Sequence, residues 1–202
     1  MRSPALFIFA VATVFAADAR AADWAAVPPP DQSDWSPTRI AKHATLHKYD
    51  LGDPEAVLRV PGLGVAAVVY ADTHPMALEA GAAWVSTTAY PGELGNAAIA
   101  GHRDSYFRPL EDIPLGTRVE VVTDSKVQTY VVDKVHIVDA LDVSVLAPTE
   151  EATLTLITCH PFRFEGYAPD RYIIHATLVG AVASTTNEQT QETQQEQERE
   201  KR

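Results

Sequence analysis

Short runs of alternating apolar and polar residues dominate the middle of the chain and predict β-strands. The segment TRVEVVT alternates, with Val119 and Val121 on one face and Arg118 and Glu120 on the other. This period of two is typical of a half-buried strand. Strand-like runs of the same kind are AVLRV, GVAAVVYA, NAAIAGH, VQTYVVDKVHIVD, ATLTLITC and RYIIHATLVG. Seven or eight strands with little helix between them favour an antiparallel barrel or sandwich.

Two segments predict helices, and one long strand run predicts an irregularity. The segment SPTRIAKHATLHKYDL offers Ser36 as an N-cap and Pro37 at the first helical position, the place where proline is tolerated best. The segment PMALEAGAAWV is expected to form a single helix. The run VQTYVVDKVHIVD is long for one strand, so we expect it to be bent or bulged midway.

The chain opens with the pattern of an export signal. Arg2 precedes an apolar run from Ala5 to Ala17, and two A-x-A sites follow it, ending at Ala19 and Ala21. This layout is typical of a secretory signal peptide, and the run is shorter than the ~18–20 residues of a membrane-spanning helix. We predict a signal peptide over residues 1–21, with a signal anchor that holds the N-terminus in the membrane as the alternative. The protein is expected to be exported to the periplasm or cell surface.

Composition divides the rest of the chain into three parts. Residues 22–35 form a Pro-rich linker, residues 36–183 hold the predicted folded domain, and residues 184–202 lack any aliphatic or aromatic side chain. A segment of that composition cannot offset its chain entropy, so we predict a disordered polar tail. The formal net charge of −11 argues against nucleic acid and against an anionic membrane surface as partners.

The single cysteine of the chain, Cys159, stands at the end of the run ATLTLITC. Exported proteins usually pair their cysteines in disulfides, so a lone one is buried and inert, bonded to another molecule, or a reactive thiol. If the last two strands pair antiparallel, Cys159 and Arg171 lie at the same end of the barrel. A guanidinium there would favour the thiolate and could donate hydrogen bonds to an oxyanion.

A reacting thiol also needs a general acid, and histidine is the usual choice. Seven histidines compete for this role. His102 follows a strand that ends in glycine and opens the polar stretch HRDSYF, so it too lies at a strand end. Spacing favours His102 without excluding the others. His43 and His47 are four residues apart and could share a helix face as metal ligands, but no third ligand and no H-E-x-x-H motif accompanies them.

Three segments resemble the sortases, the cysteine transpeptidases of bacterial cell surfaces. They are NAAIAGHRDSYFRPLEDIPLG, LITCHPF and YAPDRYIIHA; the resemblance extends from about residue 58 to 179 and is strongest to class D. It implies an eight-stranded barrel, with His102 as the catalytic histidine, Cys159 as the nucleophile and Arg171 as the catalytic arginine. The CHPF sequence after the cysteine and the Gln/Glu-rich tail depart from the usual pattern.

The resemblance also implies a reaction and a groove. Cys159 would cleave an LPxTG-like signal of a surface protein between Thr and Gly and pass the acyl group to an amine that the sequence leaves unspecified, with no cofactor and no metal. The groove would lie between the strand of Cys159 and the loop from Asp139 to Ala152. The predicted substrate contacts are Leu141, Val143, Leu146 and Thr158. The three apolar loop residues are equally compatible with a role in anchoring the loop.

Two alternatives share the same residues. A thiol peptidase would hydrolyse the acyl-enzyme with water instead of passing it to an amine. A non-catalytic surface-binding module would keep the barrel without the chemistry.

Overall fold

The structure, a computed structural model, describes residues 27–71, 73–164 and 166–183. The predicted signal peptide and polar tail lie outside the described residues. The described chain forms two short α-helices and eight β-strands. Their bounds are α1 Pro37–His43, β1 Ala56–Val60, β2 Val65–Tyr70, α2 Pro75–Ala80, β3 Ala82–Trp84, β4 Gly95–Gly101, β5 Arg118–Val122, β6 Lys126–Asp139, β7 Ala152–His160 and β8 Asp170–Ala183.

The strands close into a barrel in the order β1-β2-β3-β4-β7-β8-β6-β5, and β5 pairs with β1 to complete the circle. The predicted mainly-β fold with eight strands is confirmed. The antiparallel pairing expected from the sequence holds for most neighbours in the barrel and is wrong for two, because β2 pairs with β3 and β4 pairs with β7 in parallel. Strands of parallel direction bring their carboxyl ends to the same edge, and the second of these pairs therefore determines where the candidate site lies.

Helix α1 begins where the sequence predicts. The Ser36 hydroxyl accepts a hydrogen bond from the Arg39 backbone N–H at 3.2 Å, and proline occupies the first turn. Just before the helix, Trp35 is buried and meets the rings of His43 and Tyr106 edge-on, with centroids 5.3 and 5.5 Å apart. This aromatic contact ties the helix and the segment that precedes it to the barrel.

The prediction of a single helix over PMALEAGAAWV is wrong. Helix α2 ends at Ala80, Gly81 is extended, and Ala82 begins strand β3. A Cβ atom on Gly81 would lie only 2.2 Å from the Val68 carbonyl oxygen, so a close approach to β2 accounts for the glycine. The short apolar run AAW has the length of a strand, which periodicity alone does not separate from a helix.

Strands β6 and β8 are the longest of the barrel and pair over almost their whole length. Their register shifts between Thr129 and Tyr130 and again between Val132 and Lys134, which confirms the predicted irregularity in this run. A bulge of this kind bends a strand and increases its twist, so the two strands can follow the curvature of the barrel.

The barrel interior is filled by side chains that alternate along each strand. In β2, for example, Val65, Ala67 and Val69 point inward while their neighbours are partly exposed. The largest fully buried side chains are Tyr130, Phe107, Leu58, Ile99, Leu110, Leu154, Leu156, Ile173 and Ile174. Among the residues that the structure describes, no helix combines the length and apolar character needed to cross a membrane.

Candidate active site

Cys159 and Arg171 face each other across the last two strands. The antiparallel register of β7 and β8 pairs these two residues directly, and residues directly opposite in an antiparallel pair project to the same face. The antiparallel pairing expected from the sequence is thus confirmed, and so is the shared barrel end. Cys159 is a free thiol of intermediate exposure.

His102 reaches the same level from the other side of β7. The parallel register of β4 and β7 ends with Ala100 opposite Ile157. His102 lies two residues after Ala100, and Cys159 lies two residues after Ile157. The histidine therefore follows the end of β4 at the level where the cysteine lies near the end of β7. His102, Cys159 and Arg171 all line one cleft of about 1110 Å³. The three residues predicted to be catalytic are therefore brought together.

A buried hydrogen bond joins the two strand ends that carry His102 and Cys159. The Thr158 hydroxyl donates to the Gly101 carbonyl oxygen at 2.8 Å, and the Thr158 side chain is almost fully buried. Phe107 packs closely against the same place, because a Cβ on Gly101 would come within 2.7 Å of its ring. The polar contact thus joins the ends of β4 and β7, and the apolar contact packs Phe107 on the end of β4.

Two arginines from the segment after His102 hold the loop between Cys159 and Arg171. Arg103 donates to the carbonyl oxygens of Pro161 and Gly166 at 2.7 and 2.9 Å. Arg108 donates to the Phe162 carbonyl at 3.0 Å. Arg103 is buried despite its charge, so these bonds replace water at its guanidinium. This role was not predicted from the sequence, although both arginines lie in the stretch GHRDSYFRPL.

The Arg171 guanidinium is held by its own loop. Its Nη1 donates to the carbonyl oxygens of Ala168 and Asp170 at 3.2 and 2.9 Å. A guanidinium carries five N–H donors in a planar fork, so two bonds from one nitrogen leave further donors for a bound group. The anchoring fixes the fork beside Cys159 before any substrate arrives.

Charged residues of both helices surround His102. Glu79 of α2 has a carboxylate oxygen 3.6 Å from the His102 Nε2, and the same carboxylate binds Arg39 and Lys42 of α1. Burial lowers the pKa of His102 and the Arg39 charge lowers it further, while the Glu79 and Asp104 carboxylates act in the opposite direction; the result is a pKa below the ordinary value. The imidazole is therefore mainly neutral near neutral pH.

The segment before the barrel forms part of the cleft, a contact that was not expected from the sequence. The residues that it contributes to the wall are Ser33, Asp34, Trp35, Ser36, Pro37, Thr38 and Arg39. A tryptophan within an otherwise polar and proline-rich stretch was the signal that could have indicated this contact. The N-terminal segment therefore limits access to the thiol from one side.

Among the described residues, the four predicted substrate contacts lie outside the walls of this cleft. Leu141 and Val143 are exposed on the loop between β6 and β7, at 84% and 72% of their full accessible area, and Leu146 is half-buried on the same loop. Thr158 is buried and bonded to Gly101. Their contact with substrate stays a prediction.

The loop that carries these apolar residues is fastened to β4. The Asn96 side-chain amide donates to the carbonyl oxygens of Val145 and Ala147 at 2.9 and 3.2 Å, and its oxygen accepts from Thr155 at 2.7 Å. Asn96 is almost fully buried. The loop between β6 and β7 therefore has a fixed position beside the strand of Cys159.

A cation site is not apparent in the part of the chain that the structure describes, where no three His, Cys, Asp or Glu residues gather closely enough to hold a metal ion. The ring nitrogens of His43 lie near Gln32 and Tyr106, at 3.3 and 3.1 Å. The expectation that the reaction uses no metal and no cofactor stays a prediction.

Comparison with known proteins identifies the family. The model of the sortase domain matches residues 58–179 of the chain. The chain belongs to the sortase family. It is 32% identical over 143 residues to sortase D of Bacillus subtilis (strain 168), covering 70% of this chain and 72% of that one. It is 30% identical over 128 residues to sortase A of Listeria monocytogenes, covering 61% and 56% of the two chains.

Solved sortases have the same fold. A sortase D5 transpeptidase of Clostridium perfringens matches with a TM-score of 0.58 and 28% identity, over 74% of this chain and 92% of that one. Sortase E of Streptomyces avermitilis matches with a TM-score of 0.57 and 30% identity, over 67% and 93%. The chain is thus a class D-like sortase. Sortases are a family of transpeptidases that act on proteins with sorting signals, and they are typically extracytoplasmic and membrane-associated.

Proposed function

We propose that this sortase is a cysteine transpeptidase that cleaves an LPxTG-like sorting signal between Thr and Gly and transfers the acyl group to an amine at the cell surface. The observation that carries the proposal is a single cleft lined by His102, which follows the end of β4, and by Cys159 and Arg171, which pair directly on β7 and β8. A nucleophile, a proton carrier and an oxyanion donor within one cleft are the groups that acyl transfer requires.

In the first step, the Cys159 thiolate attacks the carbonyl carbon of the threonine. A carbon–sulfur bond forms, and the carbonyl oxygen becomes an oxyanion. Arg171 donates hydrogen bonds to that oxyanion from the guanidinium nitrogens that its loop leaves available. The carbon–nitrogen bond then breaks, and the His102 imidazolium protonates the departing glycine amine. The product is a thioester between Cys159 and the threonine.

In the second step, an incoming amine attacks the thioester. The neutral His102 accepts a proton from that amine, a new amide bond forms, and Cys159 leaves as a thiolate. Water in place of the amine gives hydrolysis instead. The lowered pKa of the partly buried His102 means that the imidazolium is a minor species near neutral pH, so only a fraction of the enzyme carries the proton needed in the first step.

The loop between β6 and β7 is proposed to form one wall of the signal-binding groove. Leu141 and Val143 are exposed apolar side chains suited to the leucine and proline of the signal, and Leu146 lies on the same loop. Asn96 supports this role because it fixes the loop through two hydrogen bonds. Thr158 contributes indirectly, through its bond to the strand end that precedes His102.

Export and anchoring are part of the same proposal. Substrates displayed on the cell surface require an enzyme on that side of the membrane. Residues 1–21 are proposed to direct export, either as a cleaved signal peptide or as an anchor. Mass spectrometry of the native protein separates the two: a chain that begins near Arg20 or Ala22 supports cleavage, and an intact Met1 in the membrane fraction supports an anchor.

The function is tested with a set of fluorogenic peptides of the form LPxTG, in which x is varied, with and without an added amine. We expect cleavage between Thr and Gly and an amide product when the amine is present. Hydrolysis alone, unchanged by every amine supplied, would support a peptidase. No cleavage, together with saturable peptide binding, would support a non-catalytic module.

A further inference from the structure

Glu79 is a buried carboxylate that lies behind the imidazole of His102. Its side chain is 3% exposed. Its Oε1 lies 3.6 Å from the His102 Nε2 and 2.8 Å from the Lys42 Nζ, and its Oε2 accepts a hydrogen bond from the Arg39 Nη1. A buried carboxylate is costly unless it is paired. Here a single carboxylate is shared by the histidine and by two cations of helix α1.

The charges facing His102 come from both helices and from the segment that follows β4. Helix α1 supplies Arg39 and Lys42, helix α2 supplies Glu79, and the histidine's own segment supplies Asp104. Arg39 also binds Asp104 at 2.7 Å. The two carboxylates favour the imidazolium and the two cations oppose it. Among the described residues, Glu79 is the only one of these four charged groups that lies within salt-bridge distance of the imidazole.

We propose that Glu79 is a positioning residue for His102, and that helix α1 adjusts its effect by directing Arg39 and Lys42 to the same carboxylate. The inference rests on the proposed role of His102 as the proton carrier. Glu79 touches neither the thiol nor the substrate. Its carboxylate lies 3.6 Å from the Nε2 of the imidazole and stabilises the protonated form that donates to the leaving amine.

The arrangement gives two substitutions with opposite effects. Glu79→Gln keeps the shape of the side chain but removes the negative charge, so His102 then faces Arg39 and Lys42 without that compensation. Lys42→Met removes a positive charge from a side chain that is 59% exposed. The charge of Glu79 is then less neutralised, and the imidazolium is favoured.

The first test measures the protonation of His102 directly, by an NMR titration of the histidine side chains in the full chain. A His102→Ala variant identifies the signal. We expect the pKa of His102 to fall in Glu79→Gln and to rise in Lys42→Met. Shifts in the same direction, or none in either variant, would overturn the inference. The Lys42 side chain is 59% exposed, so Lys42→Met is expected to fold. If Glu79→Gln does not fold, an unchanged pKa of His102 in Lys42→Met would still overturn the inference.

The second test follows kcat and KM against pH with the LPxTG-type peptides. An opposite charge within about 4–6 Å changes the protonated fraction of a neighbouring group by roughly tenfold or more. We therefore expect kcat/KM near neutral pH to fall by about that factor in Glu79→Gln, with the optimum at lower pH and KM little changed. An unchanged pH profile in an active Glu79→Gln variant would contradict the inference.

The two tests separate this inference from the proposed function. If the opposite pKa shifts occur but neither wild type nor variants act on any LPxTG peptide, the electrostatic role of Glu79 holds and the proposed function fails. If the wild type is active and the pKa of His102 does not respond to Glu79→Gln, the proposed function holds and the inference fails.

Discussion

The hydroxyl of Thr158 donates a hydrogen bond to the carbonyl oxygen of Gly101 at 2.8 Å. This bond joins the residue before Cys159 to the residue before His102. The two strands are parallel neighbours, so their carboxyl ends lie together. The geometry of the candidate nucleophile and proton carrier therefore depends on a side chain that is itself shielded from the cleft.

Thr158→Val tests this connection. The substitution keeps the shape of the side chain but leaves the buried Gly101 carbonyl without its partner, which costs about 1–3 kcal/mol. We expect a loss of that size in the free energy of unfolding, measured with denaturant, and a lower kcat/KM for an LPxTG-type peptide. Thr153→Val on the same strand is the control, since Thr153 bonds Thr149 at an exposed position. Equal effects of the two substitutions would contradict the account.

Gly101→Ala tests the apolar contact at the same strand end. The added Cβ would lie about 2.7 Å from the ring of Phe107, so the ring or the strand must shift. We expect a destabilisation of roughly 1–3 kcal/mol in thermal or denaturant unfolding. A Cβ added at Gly62 meets nothing within 4 Å, so Gly62→Ala is the matched control and should change little. Wild-type stability in Gly101→Ala would show that Phe107 does not fix this end.

The sequence was sufficient to predict most of the strands and the position of Cys159 and Arg171 at the same end of the barrel. Both rest on local signals: period-two alternation, turn residues, and the tendency of consecutive strands to pair antiparallel. The same reasoning was wrong for β3, because the AAW run is too short for its periodicity to separate strand from helix. The end of helix α2 at Ala80 depends on the close approach of Gly81 to Val68. No local sequence pattern reveals that contact.

The choice of His102 among seven histidines needed more than spacing. The parallel pairing of β4 with β7 joins segments about 57 residues apart, as in Ala100 opposite Ile157, and nothing in either segment encodes that partner. Only the resemblance to sortases singled out His102 among the seven histidines. The charges around His102 were also beyond the sequence, because Glu79 and Arg39 belong to separate helices that meet only in the folded chain.

Arg171→Lys separates charge from geometry at the candidate oxyanion site. Lysine keeps the positive charge but lacks the planar fork that holds the loop carbonyls of Ala168 and Asp170. We expect kcat/KM for an LPxTG-type peptide to fall on the order of 10²–10³-fold, the usual cost of one oxyanion donor. A lysine variant within about threefold of wild type would limit Arg171 to a role as a charge.

Stability should decrease as the pH falls through the histidine range. Burial and the neighbouring charges of His136 and Lys134 hold the pKa of His175 below its ordinary value of 6.5. The unfolded chain therefore binds more protons than the folded one in this range. The stability that His175 contributes is fully present above the unfolded-state pKa of about 6.5 and is lost as the pH falls through the lower folded-state pKa. The ring of His175 also stacks on His136 at 5.2 Å, so two positive charges would meet there.

The comparison of Tm at about pH 7.5 and about pH 5.5 checks this expectation. We expect the difference between the two values to be smaller in His175→Gln than in wild type. His47→Gln, a substitution at an exposed histidine, should leave the difference unchanged. A His175→Gln variant as sensitive to acid as the wild type would assign the loss to other groups.

The most direct test of the central claim is mass spectrometry of the full chain after brief exposure to a cleavable LPxTG-type peptide. We predict an adduct equal to the peptide acyl fragment that ends in threonine, located on Cys159, released by hydroxylamine, and missing in Cys159→Ala. The alanine variant should also neither cleave nor transfer. Continued cleavage by Cys159→Ala, or an adduct on another residue of the active wild type, would contradict the assignment of Cys159 as the nucleophile.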